Sequence, residues 1–193
     1  MRFNFGTAID VLWLVFFVYW IIAARYVNPT RAREPAARRL MYVLLLVAAI
    51  VALNSDAAIF KSAGRRFLPR SYWIASAGLL LTAAGIGFAI WARNHIGKFW
   101  TAGVAVREGH QLIRTGPYAR IRHPIYTGIL IAVAGTAMAV GTYSALVAFA
   151  LVLLGLSYKA RREEALLARE FGRAFDDHRR STGFFLPRSR RIA

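Results

Sequence analysis

Two stretches of this chain carry the side chains best suited to chemistry. The first reads Arg114-Thr115-Gly116-Pro117-Tyr118-Ala119-Arg120-Ile121-Arg122-His123-Pro124-Ile125-Tyr126-Thr127-Gly128. The second reads Lys159-Ala160-Arg161-Arg162-Glu163-Glu164, with Phe171-Gly172 and Phe175 further on. Gly116-Pro117 marks a turn. Pro124 suits the first turn of a helix, where its missing N–H costs nothing. His123 then stands at the helix start, with Tyr126 and Gly128 about one turn above it. The unpaired backbone N–H groups and partial positive charge of such a start make a natural place for a ligand carboxylate. Gly128 keeps one helix face open to close approach. The chain has no cysteine, which excludes a disulfide framework, a thiolate metal site and a Cys nucleophile.

These residues need elements to bring them together, and the apolar runs define those elements. Ala8–Ala24 holds 17 residues with only Asp10 charged, and Leu40–Phe60 carries Asn54, Ser55 and Asp56 near its end. Tyr72–Ala92 has no charge at all. About 20 residues of helix cross a hydrocarbon core, so each run reads as a span. Ile125–Tyr158 is 34 residues without a charge, too long for one crossing. Gly141-Thr142-Tyr143-Ser144 in its middle reads as a tight turn. The expected fold is therefore all-α and integral to the membrane: five transmembrane helices, the last two a helical hairpin. A chain of 193 residues with 58% hydrophobic content has too small an interior to bury that surface in water. The chain reads as a single membrane domain over 1–193, with three spans in 1–92 and the polar connection, hairpin and basic tail in 93–193.

Charge orients the spans. Lysine and arginine total 26 against 9 acidic residues. With five spans, 21 of those basic residues collect on one side and 5 on the other; with four, the split is 11 against 15. The positive-inside rule favours five, with the N-terminus outside and the tail in the cytoplasm. The first run is longer than a signal core and a basic loop follows it, so a retained anchor is expected. The formal charge of +17 falls between and after the apolar runs, which fits anionic lipid headgroups. Each basic residue near the surface contributes about 1 kcal/mol there. No nucleic-acid role is expected, because no aromatic-interleaved platform accompanies the charge. The connection Arg93–Arg122 and the tail from Lys159 then face one compartment. The connection is larger than a helix hairpin needs, and its spaced apolar residues give it something to pack.

Gly-Pro-Tyr followed by Arg-His-Pro-x-Tyr-x-Gly, then Glu-Glu on the exit from the hairpin and Phe-Gly beyond, resembles a known superfamily. It is that of isoprenylcysteine carboxyl methyltransferases and phospholipid methyltransferases, integral-membrane enzymes that use S-adenosylmethionine. The resemblance covers roughly Arg93–Pro187, half the chain; the first three spans match in hydropathy and number only. It implies a cytosolic cofactor pocket formed by the loop before the hairpin and the C-terminal helix. His110, Gln111, Leu112 and Ile113 match a stretch that contacts the cofactor, largely through backbone groups. Tyr118, His123, Pro124 and Tyr126 line the pocket further, and Glu163 closes it. In the eukaryotic enzymes an arginine four residues before that glutamate helps bind the acceptor carboxylate. Lys159 stands there in this chain, keeping the charge without the planar fork. Phe175 stands where the family usually has tyrosine, as it does again near His178.

The residues suit that chemistry. S-adenosylmethionine carries a sulfonium, an amine, a carboxylate and an adenine. Glu163 supplies an acceptor for the amine, the helix start at Pro124 supplies donors for the carboxylate, and Tyr118 with Tyr126 form an aromatic slot. An aromatic face attracts a cation by about 0.5–2 kcal/mol. Methyl transfer is an in-line displacement, so orientation dominates and can contribute roughly 7–11 kcal/mol. His123 or Glu164 would act as base where the acceptor arrives protonated. The acceptor expected is lipophilic: the carboxylate of an isoprenylcysteine-like compound, a phospholipid amine or a small thiol. Two other classes remain beside this one, a sterol-reductase-like membrane reductase using a nicotinamide and a non-catalytic membrane scaffold. Ordinary readings also exist. His123 could simply cap a helix, Glu163 and Glu164 could lie on an exposed charged helix, and the tyrosines could be interfacial aromatics. Asp10, Asn54 and Asp56 lie near span ends and read as headgroup contacts. His95 and Trp100 lie just past the third span, at the edge of the expected pocket.

Overall fold

The computed structural model describes residues 4–26, 30–33, 40, 44–45, 47–49, 65–100, 105–107 and 112–188. Among them lie the helices α1 (Phe5–Ala23), α2 (Tyr72–Ile96), α3 (Pro124–Val140), α4 (Tyr143–Phe171) and α5 (Arg173–Ser181). Helices α1, α2 with its short extension to Phe99, and α4 are long and apolar enough to cross a membrane; α3 is apolar but shorter. Leucines, isoleucines and tryptophans such as Leu14, Ile21, Trp73, Leu80, Trp91 and Leu154 are exposed on their flanks. A multi-pass membrane protein presents such surface to lipid. The run Leu40–Phe60 lies largely outside the described residues.

An all-α fold is nearly what appears, with one correction. Strands β1 (Thr30–Arg33) and β2 (Ala105–Arg107) pair antiparallel, Thr30 opposite Arg107 and Arg33 opposite Ala105. Neither strand is long enough to show a period-2 pattern, and the partners lie far apart in sequence, so local reading has no signal for them.

The hairpin turn falls where the Gly141–Ser144 tetrapeptide places it. Gly141 closes α3 in the left-handed region, at φ 68°, and its N–H bonds to Ala137 O. Any side chain there would be strained, which is why glycine ends the helix. Thr142 caps α4, its hydroxyl accepting from Ala145 N.

Helices α2 and α3 form the tightest contact, made by a stripe of small residues on each. Gly78, Thr82, Gly85 and Ala89 of α2 meet Gly135, Ala132 and Gly128 of α3. A methyl group on Gly128 would stand 2.6 Å from Ala89 N, and one on Gly135 would stand 2.5 Å from Thr82 N. Backbones that approach this closely are the usual way helices associate in lipid, where burial alone provides no drive. Polar contacts cross the same seam. Thr82 Oγ1 lies 3.3 Å from Thr136 Oγ1, and Trp13 Nε1 of α1 donates to Thr136 Oγ1 at 3.0 Å. Each such bond contributes on average about 0.6 kcal/mol within a membrane.

Contacts at the helix ends fix direction. Phe5 packs on Tyr72 at the starts of α1 and α2. At their other ends Arg93 donates to Ala23 O at 2.8 Å, and Tyr19 OH donates to the Asn94 side chain. Hence α1 and α2 run parallel, while α3 runs against α2 and α4 returns against α3. The ends of α1, α2 and α4 and the start of α3 therefore share one face. Arg93, 3% exposed, holds that face together: it also donates to Gly97 O and lies 4.4 Å over the Trp100 ring. A cation is favourable where two helix C-termini converge. The opposite face carries the α3–α4 turn, against which the 65–68 segment is bound. Phe67 N donates to Gly141 O, Tyr143 N to Arg65 O, and Arg66 Nη1 to Val140 O at 2.6 Å.

Candidate active site

Helix α4 continues past its apolar part from Lys159 to Phe171, roughly 18 Å of helix at 1.5 Å per residue. This extension stands beside the start of α3 and brings the two chemical stretches together. Tyr126 OH donates to Glu163 Oε1 at 2.5 Å. Lys159 Nζ lies 3.9 Å from the same oxygen, one helical turn before it. His123 stands between the two carboxylates, its Nδ1 3.7 Å from Glu163 Oε2 and its Nε2 3.2 Å from Glu164 Oε1. Successive residues on a helix diverge by about 100°. That divergence lets consecutive glutamates flank one imidazole. The His123 ring lies parallel to Tyr126 within 4° at 5.5 Å and meets Phe184 edge-on at 5.0 Å.

Glu164 belongs to a second network. Arg122 Nε donates to Glu164 Oε1 at 2.6 Å, and Arg122 Nη1 donates to Thr182 O at 2.5 Å and Arg179 O at 3.1 Å. The chain after α5 folds back along the start of α3. Arg122 N donates to Gly183 O, His123 N to Phe184 O, and Gly183 N to Arg120 O. Thr127 Oγ1 adds a bond to Phe185 O at 2.7 Å. Two amides ahead of the helix start are thus taken by the tail, which narrows the donors expected there for a ligand carboxylate. The first part of the tail is also a wall of the site, because its carbonyls are what these amides and Arg122 bind, while Arg179, Arg180 and Arg188 stay exposed.

A cavity of about 880 Å³, counting its open mouth, lies at this junction. Leu112, Ile113, Tyr118, His123, Tyr126 and Glu163, all expected in the pocket, line it. Pro124 is buried at the first position of α3 but is not in the cavity wall, and Lys159 contacts Glu163 from outside that wall. His110 and Gln111 lie outside the described residues. His123 has no side-chain cap bond to α3, so its ring serves the carboxylates instead. Tyr126 differs from expectation in one respect: Lys159 Nζ lies 5.2 Å over its ring, so a protein cation already uses the aromatic surface.

Arg122, Trp100, Phe175 and His178 also line the cavity. None of these was expected as a pocket residue, although Arg122 and Phe175 lie in the two chemical stretches and Trp100 stood at the expected edge. Arg122 adjoins the motif histidine, and Phe175 and His178 are three residues apart on α5, a spacing that places them on one helical face. That spacing was the available signal. His95 stacks on Tyr118 at 6.3 Å and pairs with Thr115 Oγ1 at 2.8 Å, next to the cavity rather than in its wall. Asp10 is exposed on α1, and Asn54 and Asp56 lie outside the described residues. Burial, reinforced by the Glu163 charge, pushes the Tyr118 phenol far above its ordinary range despite Arg93. Tyr118 therefore stays a neutral O–H, which donates to Ala92 O at 3.4 Å. Burial, then the Arg114 and Arg122 charges, lower His178 to about 4.

The chain is similar to several known proteins. The isoprenylcysteine carboxyl methyltransferase (ICMT) family matches residues 78–169. The protein-S-isoprenylcysteine O-methyltransferase of Schizosaccharomyces pombe is 35% identical over 81 residues, 42% of this chain and 34% of that protein. A probable protein-S-isoprenylcysteine O-methyltransferase of Oryza sativa subsp. indica is 29% identical over 150 residues, 76% of this chain and 75% of its own length. The nickel-cobalt-cadmium resistance protein NccN of Alcaligenes xylosoxydans xylosoxydans is 36% identical over 121 residues, 60% of this chain and 53% of that protein. The chain thus spans about half or less of the first two proteins named by a complete role, NccN and the fission-yeast enzyme. Among the described residues no group of three or more His, Asp or Glu side chains is placed to hold a metal ion. From α2 to the extended end of α4, over residues 78–169, the chain is similar to the isoprenylcysteine carboxyl methyltransferase family.

Proposed function

We propose that this protein is an integral-membrane methyltransferase that draws its methyl group from S-adenosylmethionine and passes it to a lipophilic acceptor. The observation that carries the reading is His123 held between Glu163 and Glu164 at the wall of one cavity, with Tyr126 bonded to Glu163. The residues fit the donor. The cavity combines one carboxylate with an aromatic and aliphatic wall, the mix of groups that a donor with an ammonium and a flat ring requires. S-adenosylmethionine, when bound, supplies an electrophilic methyl group on a sulfonium. Glu163, oriented by the Tyr126 hydroxyl, would accept the donor's ammonium. The aliphatic Leu112, Ile113, Leu166 and Leu167 exclude water from the reacting region, which strengthens every charge interaction there. His123, with Glu163 and Glu164 on either side of its ring, would take the proton of an acceptor that arrives protonated.

Lys159 would stand at the acceptor end, its charge facing the acceptor carboxylate or phosphate. The acceptor class is the carboxylate of an isoprenylcysteine-like compound, a phospholipid amine or a small hydrophobic thiol. Five membrane crossings belong to this reading, with α1 and α2 parallel. The site face would then be cytoplasmic, carrying the larger share of basic residues.

Isothermal titration of detergent-purified protein with S-adenosylhomocysteine tests the donor half, and saturable binding is the expected result. Radiolabelled methyl incorporation into isoprenylcysteine analogues, phospholipids and thiols tests the acceptor half. Binding without incorporation into any acceptor would make the protein a scaffold. Binding of a reduced nicotinamide instead of S-adenosylhomocysteine would overturn the methyltransferase reading.

A further inference from the structure

His178 is the least explained polar group at the site. Its residue is 5% exposed, and its ring lies in the cavity wall. Its main-chain oxygen accepts from Ser181 Oγ and Thr182 Oγ1, but among the described residues no hydrogen bond is made by its ring nitrogens. Neither ring nitrogen is a sealed, unpartnered atom, so both keep a hydrogen bond to offer on the cavity side. Phe175, one turn earlier and 2% exposed, shows that an aromatic hydrocarbon packs well beside it. A purely structural role therefore does not require imidazole at this place.

The geometry points to His178 as a hydrogen-bonding contact to the uncharged nucleoside part of the bound methyl donor. The inference rests on the methyltransferase reading above and assigns a part of the donor to one wall of the cavity. Ionic ligand groups have ionic partners on the α3–α4 side, where Glu163 and His123 stand. The cavity wall also includes Ile113, Leu166, Leu167 and Phe175, apolar surface suited to a flat ring, beside Arg122. Burial and the neighbouring Arg114 and Arg122 keep the imidazole neutral near pH 7, with a value of about 4. A neutral imidazole has one N–H donor and one nitrogen acceptor. Those match the hydroxyls of a ribose and the edge of a purine, which are also uncharged donors and acceptors.

The test compares two probes by isothermal titration on the full-length protein. S-adenosylhomocysteine carries both amino-acid and nucleoside parts, while 5′-methylthioadenosine lacks the amino acid. His178→Phe should weaken both by the same factor, about tenfold, and His178→Gln should restore most of the loss. S-inosylhomocysteine then separates base edge from ribose: equal binding to wild type assigns the contact to the ribose, weaker binding to the base. Unchanged 5′-methylthioadenosine affinity in His178→Phe, at unchanged thermal midpoint, would overturn the assignment. So would a loss confined to S-adenosylhomocysteine. Should His178→Phe not fold, His178→Leu and His178→Gln are compared in its place, with Gln expected to bind both probes more tightly than Leu; equal affinities would overturn the assignment. Failure of the wild type to bind S-adenosylhomocysteine would sink the methyltransferase reading itself. Wild-type binding with indifferent variants would sink only the role of His178.

Discussion

Glu163 and Glu164 are neighbours on α4, yet their partners divide them into different tasks. Glu163 faces Tyr126 and Lys159 at the cavity, while Glu164 anchors Arg122 and, through it, the carbonyls of the returning tail. Removing the Glu163 charge should therefore act on binding. Glu163→Gln is expected to weaken S-adenosylhomocysteine at least about tenfold, or roughly 1.4 kcal/mol, with little change in thermal midpoint. Glu164→Gln should do the reverse, because it leaves a mostly buried guanidinium without its counter-charge. Its first reading is a lower thermal midpoint in detergent, and an unchanged midpoint would count against the anchoring role. His178 adds a pH dependence with a definite sign. Its folded value near 4 lies below the ordinary 6.5, so the unfolded chain takes up the proton first on acidification. Stability from this site is fully present above about 6.5 and is lost as pH falls towards 4. The midpoint of wild type should thus fall more steeply than that of His178→Phe across that window; parallel curves would contradict it. The site was legible in sequence where one short stretch held the chemistry, as from Tyr118 to Tyr126. It was not legible for His178 or for the pairing of Arg122 with Glu164, a residue 42 positions away, because local spacing carries no trace of that bond.

At the scale of elements, hydropathy located the long helices and the hairpin turn but passed over what binds them. A hydropathy window scores Gly78, Gly85, Gly128 and Gly135 as weakly apolar, whereas their value lies in having no side chain. The ribbon of β1 and β2 escaped for the opposite reason, being too short to hold any period. The small-residue seam matters to the site because Gly128 lies one turn above His123, on the same helix as Tyr126. Gly128→Val would press methyl groups against Ala89 N and Gly85 O, atoms that cannot give way without parting α2 from α3. Overpacking of this kind costs typically 1–3 kcal/mol. The variant should lower the thermal midpoint and weaken S-adenosylhomocysteine together, since the start of α3 moves with the seam. Gly87→Ala is the matched control, because nothing stands within 4 Å of the added methyl. Equal behaviour of the two variants in both measurements would remove the seam from the argument.

On the scale of the whole molecule, the arrangement depends on all site-bearing ends emerging on one side of the bilayer. The starts of α1 and α2 lie together, as do their ends. Arg65 and Arg66 are bound to the α3–α4 turn, on the face opposite the cavity. Charge agrees with geometry, because the basic residues gather with Arg122 and the extended α4 rather than with that turn. The natural absence of cysteine makes this directly measurable, since a single introduced thiol gives the only signal. Arg25, Lys98 and Arg173 are exposed beyond the ends of α1, α2 and α4, while Arg70 is exposed on the other face. In intact cells a membrane-impermeant thiol reagent should label Arg70→Cys at once. Arg25→Cys, Lys98→Cys and Arg173→Cys should react only after the membrane is opened. The relation among the four matters more than the absolute side. Reversed labelling of all four would invert the protein while leaving its site intact. Lys98→Cys and Arg173→Cys reacting from opposite sides would separate the loop from the α4 extension, and no shared cavity for a methyl donor could then form.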